Sequence, residues 1–358
     1  MSRQFSVRPA TADDRAAMIR LMSEMHGSDA TARYERLYLA NPHGEAVSWV
    51  AVDDETGEVV AQTSLFPRRI MVAGTERVGA IGGDTFVSPT ARRQGLATRL
   101  HAASRVDMLE HGVEFHFGAP VIANLHALAK VGGVTVSDFF LHVRPLTSAF
   151  VAEKLAVRLP AAAPEGARKA LAKTVAPGAL AVFNARRRPV PAGYSAERNH
   201  VFGDEWDRWI EEHVRRDGVF CVRDAAYMTY RYEEGQCEGW QAFQVRRDGA
   251  IAGMFALEFT EDGRDAFLGD LFAAFDVPSL QAALRLAARE AKRAGCDSIS
   301  IRATTQPALV EALTKDGFFE RGGGETPALS LTPPEDVDEP DLLRDGAWFF
   351  VERDQDLD

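Results

Sequence analysis

Between Asp84 and Leu100 a strand has to end and a helix has to begin, with only a short polar loop to join them. Ala80, Ile81, Thr85, Phe86 and Val87 are strand formers, because β-branched and aromatic side chains pack well on a pleated surface. Pro89 stops that strand, since proline has no N–H to give to a ladder. Leu96, Leu100, Ala103, Val106 and Leu109 then recur at three- and four-residue spacing, the stripe of an amphipathic helix. The join is Arg92-Arg93-Gln94-Gly95-Leu96-Ala97. A helix start exposes about four unpaired backbone N–H groups and the positive end of the helix dipole. Gly95 lets backbone approach a ligand closely, Ala97 keeps the surface low, and two arginines stand beside them. Such a join is a main-chain cradle for a pyrophosphate.

The rest of the chain sets limits on what uses that cradle. Its 358 residues suffice for two or three domains, and 46% apolar with 26% charged residues is a soluble globular balance. No apolar run approaches the roughly 20 residues of a membrane span, and Met-Ser-Arg-Gln-Phe-Ser-Val lacks an apolar signal core. Cys221, Cys237 and Cys296 are widely spaced and form no metal pattern with the histidines. A reducing cytoplasm is the expected setting, with no metal. The net charge is −11, and Glu335 to Asp358 holds ten acids against two arginines, so that segment carries most of it. Acidity on this scale disfavours nucleic acid, whose binding is dominated by phosphate contacts. It suits a cationic partner such as an amine. The acidic segment reads either as a solvated tail or as a source of carboxylates near a cleft mouth.

In chain order, Phe5 to Pro9 is an edge strand, and Thr11 or Asp13 caps a helix bearing Met18, Ile19, Leu21 and Met22. Hairpins follow at 49–65 and 69–81, then the strand, loop and helix described above. Glu114 to Gly118 is a strand, Ala123 to Val131 a helix ended by Gly132-Gly133, and Val134 to Val143 a strand. Val151 to Pro191 is rich in Ala, Pro and Arg and reads as a linker with one helix, 166–174; Arg186-Arg187-Arg188 reads as a solvated face. From Glu197 the order repeats: hairpin (241–257), strand (265–272), helix (279–293), strand (298–302), helix (306–315), then Gly317-Phe318. The chain is thus expected to be a tandem repeat of one α/β fold with a mixed sheet. The expected units are 1–150, a linker 151–196, a second domain 197–335 and an acidic C-terminal segment 336–358 with a final strand. The second copy has Ala273-Ala-Phe-Asp-Val-Pro-Ser where the first has its loop, with Asp276 where basic groups would meet phosphate.

The loop has neither the Gly-Lys-Ser/Thr of a P-loop nor Gly-x-Gly-x-x-Gly. It resembles the acetyl-coenzyme A signature of the GNAT superfamily of N-acyltransferases, Arg/Gln-x-x-Gly-x-Gly/Ala after a strand ending Val-x-Pro. Arg92, Gly95 and Ala97 fill the signature, and Val87 and Pro89 the strand end. The resemblance runs from about Phe5 to Pro145. Arg223-Asp-Ala-Ala-Tyr-Met-Thr-Tyr-Arg-Tyr232 and the ending Trp348-Phe-Phe-Val-Glu-Arg-Asp are similar to stretches of two-domain GNAT proteins. The implied architecture is two tandem GNAT-like folds, the second with a degenerate cofactor loop.

The resemblance implies an acyl group moved from acetyl-CoA, or another acyl-CoA, to a small-molecule amine by direct attack with both substrates bound. Backbone of Arg93, Gln94, Gly95, Leu96, Ala97 and Thr98 takes the pyrophosphate beside Arg92. The edge of Thr85, Phe86 and Val87 pairs with the pantetheine and polarises the carbonyl, and Pro120 to Asn124 flanks the thiol end. Asp84 is the only carboxylate of the central strand and is a candidate general base. Beside Gly82-Gly83 it also fits a bulge or turn residue. The superfamily's tyrosine general acid has no counterpart on helix 123–131, where His126 is the candidate and a solvated histidine the alternative; His116 lies on the preceding strand. A non-catalytic acyl-CoA sensor and an aminoacyl transferase of the paired-GNAT type are the competing readings.

Overall fold

The computed structural model describes residues 3–185, 188–199, 201–214, 217–232, 239–321, 328–334 and 339–355. Cys237, Arg186, Arg187 and acidic residues 335, 336, 338, 356 and 358 lie outside the described residues. The first half opens with β1 (Phe5–Pro9), α1 (Arg15–His26) and α2 (Thr31–Tyr34), which runs on into a π-helical turn, Glu35–Leu39. Asp14 starts α1 by accepting hydrogen bonds from the Thr11 N–H and hydroxyl, and Gly27 ends it in a left-handed conformation. Then come β2 (Val47–Asp53), β3 (Val59–Val72), β4 (Thr75–Val87), α3 (Leu96–Asp107), β5 (Phe115–Gly118), α4 (Ile122–Ala129) and β6 (Val134–Pro145). Strands β1 to β4 pair antiparallel, and α3 is the crossover that lets β5 lie parallel to β4. This is the order the sequence predicts.

The connecting segment differs from its expected single helix. It contains two, α5 (Ser148–Arg158) and α6 (Glu165–Ala185), packed together. Alanine is the strongest helix former, and Pro160 and Pro164 fall in the break between the helices, where the chain turns. The second half comprises β7 (Tyr194–Arg198), α7 (Asp204–His213), β8 (Val219–Cys221), α8 (Ala225–Tyr232), β9 (Trp240–Arg247), β10 (Ala250–Phe259), β11 (Asp265–Ala273), α9 (Val277–Arg293), β12 (Ser298–Thr304), α10 (Pro307–Lys315), β13 (Phe319–Glu320), β14 (Ala328–Thr332), α11 (Pro340–Leu343) and β15 (Trp348–Phe349). Its hairpin, central strand, crossover helix and parallel strand repeat the first half element by element.

The two halves share one sheet, in the order β1-β2-β3-β4-β5-β14-β6-β12-β11-β10-β9-β7. Strands are exchanged: β14, from the end of the chain, lies between β5 and β6, while β6 pairs with β12 of the second half. A side branch adds β8 to β3 and β15 to β8. Trp348 is buried among Phe115, Phe117, Leu329 and Leu331, so residues far apart in sequence make one core. The described part of the acidic segment docks onto the body of the fold. Buried Glu339 accepts two bonds from Arg77 (2.6 and 2.8 Å), Glu352 pairs with Arg302, and Asp354 is buried beside Arg223.

Beneath the crossover helix lie two histidines. His116 of β5 and His101 of α3 are buried with ring centroids 6.4 Å apart, and a Cβ on Gly82 would overlap His116 Nε2. Burial pushes His101 down to about 4; burial, with His101 alongside, pushes His116 down to about 3. An unfolded histidine binds its proton at an ordinary value of 6.5. Between those values the unfolded chain carries more protons than the folded one, so stability is full above about 6.5 and is lost as pH falls toward 4 and 3. A melting-temperature series over pH 7 to 4 should fall on acidification, and His101→Leu should flatten that slope.

The second half carries a buried charge network. Arg223 donates to Asp270 (3.0 and 3.1 Å) and sits 2.8 Å from Asp354, and the Tyr232 hydroxyl donates to Asp270 at 2.8 Å. Burial opposes ionisation of Asp270, but Arg223 and Arg231 outweigh it and hold the carboxyl below its usual range. Removing one member of such a network strands a buried charge and costs about 3–5 kcal/mol. Asp270→Ala should lose that much in urea titrations. Glu311→Ala, which breaks only the exposed pair with Lys315, should stay within about 0.5 kcal/mol of the parent.

Candidate active site

The join between β4 and α3 takes the form its residues dictate. After Pro89–Ala91, a single 3-10 turn, Arg93 (φ 64°) and Gly95 (φ 72°) both adopt left-handed backbone. Gly95 then stands at the N-cap of α3. Glycine takes that conformation without the strain a Cβ brings. No side chain caps this helix start. Nothing lies within 4 Å of a Cβ built on Gly95, and Arg92, Arg93 and Gln94 are exposed. The Arg92 guanidinium reaches back to the Val87 carbonyl at 3.4 Å. Leu96 and Leu100 are buried and fix the helix to the sheet, while Ala97 and Thr98 are half-buried at its first turn. Free N–H groups, a dipole end and open space together fit an anionic pyrophosphate.

Next to the loop the sheet opens. The parallel ladder between β4 and β5 covers only Gly79–Ile81 against Phe115–Phe117. Strand β4 runs on to Val87, so Phe86 and Val87 pair with β3 alone, and the other edge of Thr85 to Val87 has no ladder partner among the described residues. The register of β3 and β4 slips between Gln62 and Ser64, where β4 carries an extra residue at Asp84-Thr85. Asp84 itself has φ 48°. A bulge of this kind bends its strand and increases the local twist, which turns β4 away from β5. Helix α4 follows the end of β5; it holds half-buried Asn124 in its first turn and carries exposed His126.

Asp84 is the bulge residue, and it is not alone. Its side chain is 4% exposed. One carboxylate oxygen accepts from Arg33 of α2 at 2.9 Å, and the other from the Tyr38 hydroxyl at 3.0 Å. Ser64 (3.0 Å) and the Gln62 amide (3.3 Å) donate in turn to the Tyr38 oxygen, and Ser48 lies 2.9 Å from Ser64. Burial, then the neighbouring Asp84 carboxylate, raise the Tyr38 phenol well above its ordinary value, so it is a hydrogen-bond donor at neutral pH. The structure therefore brings Asp84, Thr85, Phe86 and Val87 together with the loop, and adds two residues that sequence reading misses, Arg33 and Tyr38. Buried His116, facing Gly82, lies on the opposite side of β4 from this network. Among the described residues no group of His, Cys, Asp and Glu has a metal-holding arrangement.

The second half answers each feature with a closure. Its β10–β11 ladder carries a bulge at Gly269, one place earlier relative to the aspartate, since Asp270 itself is paired with Ala256. Strand β11 ends at Ala273 and α9 begins at Val277, a much shorter join than the one from Val87 to Leu96. The start of α9 is capped: Asp276 accepts from the Ser279 N–H at 2.9 Å. The gap beyond the β11–β12 ladder is filled by the chain's own C-terminal segment. Val351 bridges Ala303, the Thr304 N–H donates to the Phe350 carbonyl at 3.1 Å, and Arg353 Cγ lies 2.7 Å from where Gly269 would carry a Cβ. The Arg353 guanidinium stacks over Trp240.

Residues 6–132 match the family model described as an acetyltransferase (GNAT) domain. Among solved structures, a protein of unknown function and probable N-acyltransferase from Enterococcus faecalis is 13% identical, with 93% of this chain and 73% of that one covered and a TM-score of 0.62. A GCN5-related N-acetyltransferase from Anabaena variabilis is 12% identical, with 92% and 72% covered and a TM-score of 0.60. Saccharomyces cerevisiae N-myristoyltransferase with bound myristoyl-CoA is 16% identical, with 92% and 79% covered and a TM-score of 0.51. No curated protein matches. At such identities the likeness is one of fold, and it extends through both halves. The open loop and the unpaired strand edge both lie within residues 6–132, the part of the chain that matches the acetyltransferase (GNAT) domain.

Proposed function

We propose that this chain is an N-acyltransferase that moves an acetyl group from acetyl-CoA to the amine of a small molecule, by direct attack with both substrates bound. One observation carries the reading. The uncapped start of α3, with its two left-handed residues, lies beside the unpaired edge of β4. Backbone N–H groups from Arg93 to Thr98 hold the pyrophosphate, with the Arg92 and Arg93 charges beside it. The free edge of Thr85 to Val87 receives the pantetheine amides as a short extra strand, and an N–H of that edge polarises the thioester carbonyl. Asn124 stands at the thiol end. Asp84 takes the proton that the acceptor ammonium must lose before it attacks. His126, exposed on α4, is the candidate to protonate the leaving thiolate, although a thiol pKa of ~8.5 makes a dedicated acid dispensable.

Acceptor chemistry follows from charge. The chain is acidic overall, which favours a cationic amine over a polyanion such as tRNA. Two free, buried cysteines, Cys221 and Cys296, are compatible with a reducing cytoplasm. The second half binds no coenzyme in this reading, because Asp276 occupies its helix start and residues 350–353 fill its gap. Calorimetry with acetyl-CoA should therefore give a single site per chain. Gly95→Glu puts a side chain and a negative charge into the cradle and should abolish that binding with little change in melting temperature. Full binding by Gly95→Glu would remove the basis of this function.

A further inference from the structure

The two halves repeat more than their order of elements. Gly83-Asp84-Thr85-Phe86 of β4 and Gly269-Asp270-Leu271-Phe272 of β11 stand at the same place in the repeat, each at a bulge opposite the preceding strand. Each aspartate is held in the same way. Arginine takes Oδ1 and a tyrosine hydroxyl takes Oδ2: Arg33 and Tyr38 at Asp84, Arg223 and Tyr232 at Asp270. The second trio has no loop beside it and no opening to solvent, so building a bulge is sufficient reason for it. The first trio is the same device with one member exposed: the Arg33 side chain is 19% exposed, against 2% for Arg223.

We propose that Tyr38 is a positioning residue for acyl transfer, one that sets the orientation and proton affinity of Asp84. This rests on the reading of Asp84 as general base. An ionised carboxylate has about four acceptor sites, and Arg33 and Tyr38 occupy one on each oxygen. The carboxylate is thereby held against rotation in the bulge, with capacity left for an ammonium proton. A donor bonded to the charged form also favours that form. Ser64 and Gln62 donate to the Tyr38 oxygen, so its own proton is left for an acceptor, and Asp84 at 3.0 Å is charged and closer than Met22 Sδ at 3.4 Å. Among the described residues, the groups around Asp84 and Tyr38 include Arg33 from α2, uncharged Gln62 and Ser64 from β3, and from α1 Met22, with His26 packed on Phe86.

The test uses the full chain and reads Asp84 directly. Carboxyl carbon NMR follows its titration, with the signal assigned by its loss in Asp84→Asn. Tyr38→Phe should move the midpoint up, because it removes a donor bonded to the charged form. Thiol release from acetyl-CoA with a panel of small amines should fall about tenfold to a hundredfold in kcat, with its alkaline-rising limb moved up and KM for acetyl-CoA unchanged. Tyr232→Phe should lower the melting temperature and leave both readouts where they were. Should Tyr38→Phe not fold, 3-fluorotyrosine at position 38 keeps the shape and strengthens the donor, and the midpoint should move down. An unmoved midpoint in either Tyr38 form overturns the proposal. Full activity in Asp84→Asn with the coenzyme still bound overturns instead the reading of Asp84 as base.

Discussion

A single extra residue in β4 separates this sheet into a paired part and an open part. Up to Ile81 the central strand is bonded on both sides; beyond the bulge at Asp84 it is bonded only to β3. An unpaired edge inside a sheet would ordinarily be unsatisfied backbone. Here it is followed along the chain by a helix start that no side chain caps. A ligand with amides at one end and a pyrophosphate at the other satisfies both. The bulge has to be held open against the tendency of strands to pair, and the buried chain Ser48–Ser64–Tyr38–Asp84–Arg33 holds it.

In the second half the same opening is closed from within. The segment Phe350–Asp354 lies where the first half leaves an edge free, and Asp276 serves the helix start. The closing segment also ties the halves together, since it follows directly on β15, which pairs with β8 and through it with β3. Together with the exchange of β6 and β14, this makes the second half part of the first half's support. A domain that merely lay alongside would leave the β5 edge bare; β14 covers it.

What sequence reading reached was local. The strand, loop and helix from Asp84 to Leu100, the hairpins and the repeat of the second half all follow from periodicity and from Pro and Gly placed at the ends of elements. What it missed was long-range or hidden in composition. Helix α5 and the full length of α6 sit in an Ala- and Pro-rich stretch whose weak amphipathic pattern reads as linker. The insertion of β14 beside β5 joins residues some 200 apart, and nothing in a strand's own pattern names its neighbour. Arg33 and Tyr38 belong to the same class, on a short helix and π-helical turn far from Asp84 in sequence. One signal was present: Gly-Asp-x-Phe occurs in both central strands. The aspartate of each repeat needs partners, and a repeat predicts that their types recur.

The two trios also separate what holds a bulge from what can do chemistry. Asp270 is sealed among Arg223, Arg231 and Tyr232, with Asp354 on the far side of Arg223. A carboxylate so surrounded is closed to solvent and has its charge balanced by Arg223 and Arg231. Asp84 pairs with Arg33, which lies partly at the surface. Its charge is balanced without being enclosed. On the proposed reading of Asp84 as base, its carboxylate is already desolvated before an acceptor arrives, so proton transfer needs little reorganisation around it. The difference between the two aspartates is one of enclosure: Arg223, the partner of Asp270, is covered and also meets Asp354 of the C-terminal segment, whereas Arg33, the partner of Asp84, is 19% exposed.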